Sequence, residues 1–176
     1  MRVVAGEARG RPLEAPDGTR TRPTSDRVRE SIFNMLFSLH ATEDAEVLDL
    51  YAGCGALGIE ALSRGAKHCT FVAQDRRAVD CIRKNLDFVG YTDRASVVQS
   101  DVEPWVGALE REFDLVLADP PYADDAWIDL LDHLDAKWLV AESGADLEEH
   151  PRWHVVRQKT YGTTVVTVFS RRGTTS

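Results

Sequence analysis

Cysteine is scarce in this 176-residue chain: it has Cys54, Cys69 and Cys81 and no others. Three thiols leave one over in any disulfide scheme, and their spacing matches no metal-binding pattern, so neither a disulfide scaffold nor a cysteine metal centre is expected. A reducing, cytoplasmic setting is the simplest one. The five histidines (His40, His68, His133, His150, His154) are scattered, and no metal is expected from them. Long apolar runs are missing too. Nothing approaches the roughly 20 residues of a membrane span. The opening Met1-Arg2-Val3-Val4-Ala5-Gly6-Glu7 holds no apolar secretion core, so no membrane partner is expected. Internal repeats and low-complexity tracts are absent. A hydrophobic content of 43% with 28% charged residues is ordinary for a globular chain long enough to build a substantial core.

Positive charge is short overall. The net charge of −8 argues against a nucleic-acid partner on its face. The deficit is uneven, however. Residues 1–34 hold seven arginines, no lysine and five acids, while the remaining 142 residues hold 14 bases against 24 acids. Arginine forks match phosphate oxygens. Arg9, Arg11, Arg20, Arg22, Arg27 and Arg29 are therefore candidate contacts to a nucleic-acid backbone, although a solvated flexible arm has the same composition.

What the chain does have is a regular alternation of strand and helix patterns. Residues 2–4 and 11–14 read as a small hairpin or extended arm, and Pro16 to Pro23 as a loop. Thr24 or Ser25 can cap a helix that runs to about His40, with Val28, Ile32, Leu36 and Leu39 on its apolar face and Arg27, Arg29 and Glu30 elsewhere. Strands are expected at 46–51, 69–73, 95–99, 113–118 and 138–142. Helices are expected from Ala56 to about Arg64, Arg76 to about Val89, Asp101 to Arg111, and Asp125 to about Leu134. The strands 153–159 and 163–170, turned at Tyr161-Gly162, have no helix between them and should pair antiparallel. The expected fold class is α/β, a doubly wound, mostly parallel sheet covered on both faces.

Asp119-Pro120-Pro121-Tyr122 is the most informative stretch. It ends the apolar run 113–118, and two prolines force a rigid turn. A carboxylate, a fixed carbonyl and an aromatic ring then stand at the carboxyl end of a strand, where open α/β sheets bind ligands. A nitrogen-bearing ring stacked on Tyr122 could offer amino hydrogens to Asp119 and to the Pro120 carbonyl. A proline-stiffened surface loop is the bland alternative.

Gly53, Gly55 and Gly58 match G-x-G-x-x-G between a strand and a helix, and Asp75 lies where a ribose-binding acid is expected. A nicotinamide or flavin dinucleotide is a competing reading. Against it, Asp49 interrupts the strand four residues before Gly53. An acid there can accept from a cationic amino group, which S-adenosylmethionine has and a pyrophosphate cofactor lacks. Asp101, ending the third strand, could reach an adenine amino group or cap the next helix.

Two motifs, Asp49-Leu50-Tyr51-Ala52-Gly53-Cys54-Gly55-Ala56-Leu57-Gly58 and Asp119-Pro120-Pro121-Tyr122, resemble the S-adenosylmethionine-dependent amino methyltransferases. The stretch Arg20-Thr21-Arg22-Pro23-Thr24-Ser25-Asp26-Arg27-Val28-Arg29-Glu30-Ser31-Ile32-Phe33-Asn34 narrows this. Together with Glu60-Ala61-Leu62-Ser63-Arg64-Gly65-Ala66 and Tyr161-Gly162, it resembles the RsmD family of bacterial 16S ribosomal RNA guanine-N2 methyltransferases. The resemblance implies a seven-stranded, Rossmann-like class I methyltransferase sheet with an antiparallel last strand. It implies a basic amino-terminal extension over 1–40 that contacts RNA and a catalytic domain over 41–176. The implied cofactor is S-adenosylmethionine, with Asp49, Tyr51, Gly53 and Gly55 at its methionine end and Asp101 and Val102 near its adenine. Asp119, Pro120 and Tyr122 would act on the target base. The implied partner is 16S rRNA, free or within an assembling small subunit.

Two positions depart from the family pattern. Ala73 stands where a ribose-binding glutamate is usual, leaving Gln74 or Asp75 to substitute. Cys54 replaces a small hydroxyl residue, and no nearby base would make it a nucleophile. A methyltransferase acting on another RNA, on DNA or on a protein amide is the nearest alternative. An RNA-binding domain without catalysis comes next, and an oxidoreductase comes last.

Overall fold

Burial on both faces explains the central strand sequences. In the computed structural model, which describes residues 1–16, 18, 24–121 and 125–173, the strands β1 (Glu46–Leu50), β2 (His68–Ala73) and β4 (Phe113–Ala118) are buried almost throughout, as expected of parallel strands with helices on either side. With β3 (Ala95–Gln99), β5 (Ala136–Ser143), β6 (Trp153–Tyr161) and β7 (Thr164–Arg171) they form one seven-stranded sheet in the order β3-β2-β1-β4-β5-β7-β6. The first five strands are mutually parallel. β7 runs antiparallel between β5 and β6.

Side chains alternate between two cores. Val47, Leu115, Leu117, Val140 and Val168 point to the face covered by α1 (Asp26–Ser38), α2 (Ala56–Ser63) and α3 (Arg76–Val89). Leu48, Leu50, Val116, Leu139 and Phe169 point to the opposite face, covered by α4 (Val102–Gly107) and α5 (Asp125–His133). The period of two places Asp49, Asp119 and Glu142 on the α1–α3 side, because each lies two residues beyond an apolar residue of that face.

The local signals act as their chemistry dictates. Ser25 caps α1, its Oγ accepting from the Val28 N–H at 3.2 Å. Asp75 caps α3, whose apolar stripe Val79, Ile82, Leu86 and Val89 is buried, and Gly90 closes that helix in the left-handed conformation. The helix expected over Asp101–Arg111 is shorter, ending at Gly107, where backbone freedom favours termination. The strands expected from 138 and from 153 are longer than the apolar runs alone suggested.

The amino-terminal residues form a short antiparallel hairpin around Arg2 and Pro12, with the Val3 N–H on Arg11 O at 2.9 Å and the Gly10 N–H on Val3 O at 2.8 Å. It is stitched to the helices beneath. The N–H groups of Val4 and Ala5 donate to the Glu60 carboxylate of α2 at 2.9 and 3.0 Å, and Glu14 exchanges two 2.9 Å bonds with Asn85 of α3. Most of the loop expected over Pro16–Pro23 lies outside the described residues. No described helix is long and apolar enough to cross a membrane.

Candidate active site

The turn after β1 is built by three residues in the left-handed region: Tyr51 (φ 55°), Gly53 (φ 56°) and Gly55 (φ 82°). A side chain at Gly53 would meet nothing closer than the Tyr51 carbonyl at 4.0 Å, so the outer side of the loop is open. Gly58 has the opposite surroundings. A Cβ there would lie 2.3 Å from the Phe71 ring and 2.7 Å from Cys69 Sγ, so this glycine lets α2 press against β2. Asp49, only 1% exposed, accepts from the Gly58 N–H through Oδ2 at 3.0 Å. It fastens the first turn of α2 to β1, which commits one of its oxygens before any ligand arrives. Burial holds its pKa well above the usual carboxylate range, with smaller contributions from Glu142 and Asp119. The Tyr51 hydroxyl donates to Glu103 of α4 at 2.6 Å, and burial raises its pKa, as does that carboxylate.

The ends of β2 and β3 continue the same rim. Ala73 is buried, while Gln74 and Asp75 are exposed. Asp75 Oδ1 is engaged in capping, accepting from the Arg77 N–H at 2.8 Å, and the Gln74 carbonyl faces Gln99 Nε2 at 3.4 Å. Asp101 sits at the cap position of α4, exposed and without a side-chain capping bond. The Val102 side chain is in the core, so only its backbone can face a ligand. Cys54 is buried and its thiol is pushed up by that burial, in keeping with packing rather than nucleophilic chemistry.

One strand over, Asp119 and Pro120 stand at the tip of β4, beside β1, where Leu50 pairs with Ala118. With Pro121, Trp127, Glu142 and Thr164 they line a cavity of about 470 Å³. Burial raises the Asp119 pKa to about 6. Glu142, at the matching tip of β5 (Ala118 pairs with Ala141), is 5% exposed. Burial, then the Asp119 charge, raises its pKa to about 8. The Thr24 hydroxyl lies 2.8 and 3.0 Å from its two oxygens. The sequence does not single out Glu142, and it offers Thr24 only as a possible helix cap and part of the family motif. The available signal was an acid closing an apolar strand, which acquires meaning only once β5 is known to neighbour β4. Tyr122, Arg20 and Arg22 lie outside the described residues.

Arg9, Arg11 and Arg27 are exposed. Arg11 stacks over Phe88 at 4.6 Å and donates to the Phe88 carbonyl. Arg29 does not belong with them. It is fully buried, bonded to Arg2 O, Thr24 O and Asp26 Oδ1, and 3.6 Å from the buried Glu60 carboxylate. The expectation that it contacts RNA is corrected. Its charge is consumed in joining the hairpin, α1 and α2.

A family model described as "Conserved hypothetical protein 95" matches residues 1–170. The chain is 40% identical to YlbH of Bacillus subtilis over 98% of this chain and all of that one. It is 34% identical to the Escherichia coli K12 protein named ribosomal RNA small subunit methyltransferase D, over 97% of this chain and 90% of that one. The chain belongs to the RsmD methyltransferase family. The solved structure of Escherichia coli yhhF superposes on this one with a TM-score of 0.85, covering 97% of both chains at 34% identity. Membership in the RsmD family sets aside the dinucleotide oxidoreductase alternative, and topology agrees. Dinucleotide folds end their sheet in the order 4-5-6, whereas here antiparallel β7 separates β5 from β6.

Proposed function

We propose that this chain transfers a methyl group from S-adenosylmethionine to the exocyclic N2 of a guanine in 16S ribosomal RNA. The single observation that carries this reading is the adjacency of two strand tips. The glycine turn after β1 and the Asp119-Pro120 turn after β4 leave the carboxyl ends of paired, neighbouring strands, close enough for the Asp119 charge to be felt at Asp49. The name of the Escherichia coli relative supports a small-subunit rRNA substrate.

The residues on the rim fit an adenosyl cofactor. The open side of Gly53, the uncommitted Asp101 carboxylate and the exposed Gln74 and Asp75 offer room, an acceptor for an adenine amine and acceptors for ribose hydroxyls. S-adenosylmethionine, when bound, supplies a methyl group already activated on a sulfonium. The protein's task is alignment, which is worth about 7–11 kcal/mol in a well-oriented site. Asp119 and the Pro120 carbonyl accept the two hydrogens of the target amine. That pulls the nitrogen out of conjugation and turns its lone pair toward the donor, and the proton shed by the methylated nitrogen passes to the Asp119 carboxylate. Tyr122 supplies a ring for the base once it has left its stack. Arg9, Arg11 and Arg27, with Arg20 and Arg22 of the adjoining segment, hold the RNA backbone.

The test is transfer of labelled methyl into 16S rRNA and small subunits from cells lacking this protein, followed by mapping of the modified nucleoside. Label on guanine N2 is expected, together with loss of transfer in Asp119→Ala while cofactor affinity persists. Full activity in that variant, or label on a different atom, would refute the reading.

A further inference from the structure

Asp119 does not line its cavity alone. Glu142 faces it from the neighbouring strand, with its tip level with that of β4 and its carboxyl oxygens spanned by Thr24. We propose that Glu142 is a specificity-determining residue that hydrogen-bonds the ring edge of the target guanine, next to the amino group held by Asp119. The proposal rests on the base-pocket reading above and extends it to which base is accepted.

The charges around Glu142 define its state. Asp119 from β4 and Asp49 from β1 are acidic; Arg29 from α1 is the cation that acts on it, and Thr24 before α1 donates to it. Two carboxyls in a desolvated pocket cannot both ionise without mutual repulsion. Burial raises both carboxyls and the Asp119 charge raises Glu142 further, so the pair retains a proton in neutral solution, and with Asp119 accepting from the target amine that proton sits on Glu142. Asp119 is then an ionised acceptor for the amine. A neutral Glu142 is an acceptor through its carbonyl oxygen and a donor through its O–H.

That pattern matches one base best. Beside its exocyclic amine, guanine presents the N1–H donor and then the O6 acceptor. A neutral carboxyl satisfies both in a two-point pairing, C=O to N1–H and O–H to O6. Adenine with its amine at Asp119 offers an acceptor and then a carbon-bound hydrogen. Cytosine offers two acceptors. Either leaves a polar group of the buried pair unmatched, and a site built around hydrogen bonds rejects such analogues strongly.

The experiment is single-turnover methyl transfer into small subunits lacking the modification, from pH 6 to 9.5, for wild type, Glu142→Gln and Glu142→Leu, with cofactor affinity and the modified nucleoside determined for each. Wild type should lose rate as pH rises through about 8. Glutamine keeps a donor and an acceptor at every pH, so E142Q should transfer within a few-fold of wild type at neutral pH and lose that alkaline fall. E142L should transfer roughly 100-fold more slowly with cofactor affinity retained. A wild-type rate in E142L, an alkaline fall in E142Q identical to wild type, or no fall in wild type overturns the role of Glu142. Should E142L fail to fold, the E142Q profile decides. Wild-type label on an atom other than guanine N2 overturns the base-pocket reading, and this proposal with it. Variant differences on a correctly mapped guanine isolate Glu142.

Discussion

Replacing Arg29 with methionine separates a structural arginine from an RNA-binding one. Methionine keeps much of the apolar stem, so the loss is that of the guanidinium. Three acceptors then lose a donor: Arg2 O, Thr24 O and the half-exposed Asp26 Oδ1. Glu60, fully buried, keeps the N–H groups of Val4 and Ala5 and the Arg64 side chain but loses a cation 3.6 Å away. Breaking a buried pair by removing one partner costs about 3–5 kcal/mol. For a chain of this length each kcal/mol lowers the melting midpoint by about 2–4 °C, so a fall of roughly 6–20 °C is expected. Urea unfolding should show a lower midpoint at unchanged slope. Arg27→Ala, at an exposed position on the same helix, should stay within about 0.5 kcal/mol of wild type. If R29M matched wild-type stability and instead weakened RNA binding, the buried-clamp account would be wrong.

Other perturbations probe the remaining elements. Gly58→Ala drives a methyl into the Phe71 ring and Cys69 Sγ and should destabilise by about 1–3 kcal/mol while weakening cofactor binding through displacement of α2; unchanged stability and affinity by denaturation and calorimetry would contradict this. Burial raises Asp119 to about 6 and Glu142 to about 8, so the folded chain holds protons that the unfolded chain releases near pH 4. Their stabilising contribution is complete below that point and is lost as pH rises through 6 and then 8. Denaturation from pH 5 to 9 should therefore show E142Q declining less than wild type between 7 and 9, and parallel curves would refute the assignment. Substituting Arg9 and Arg27 with alanine should weaken RNA binding and flatten its dependence on log salt by about one for each phosphate no longer neutralised, whereas an unaltered slope would remove them from the interface.

Much of the fold was legible because its signals are local. Alternating apolar runs, a serine cap before α1, an aspartate cap before α3 and Gly90 after it act through neighbours within one turn, and the helix over 76–89 and strands over 95–99 and 113–118 fall where the pattern put them. The glycine turn and the Asp119-Pro120 tip were legible for the same reason. Strained backbone and paired prolines advertise themselves in sequence, and the family resemblance joined them.

The tertiary structure decided three things that depend on distance. Arg29 and its neighbour Arg27 are both arginines two residues apart on one helix, and helical geometry alone does not say which meets Glu60, a residue from another element. Gly58 completes the G-x-G-x-x-G pattern, and what it packs against, the Phe71 ring on the next strand, appears only in the folded chain. Glu142 lies 23 positions from Asp119, and only parallel pairing of β4 with β5, in a register fixed by burial of alternate side chains, brings two acids to one cavity. Sequence specifies which groups are present and how each stretch turns. Desolvation and charge coupling between strand tips arise only when the sheet closes, and they set the proton count of the pocket.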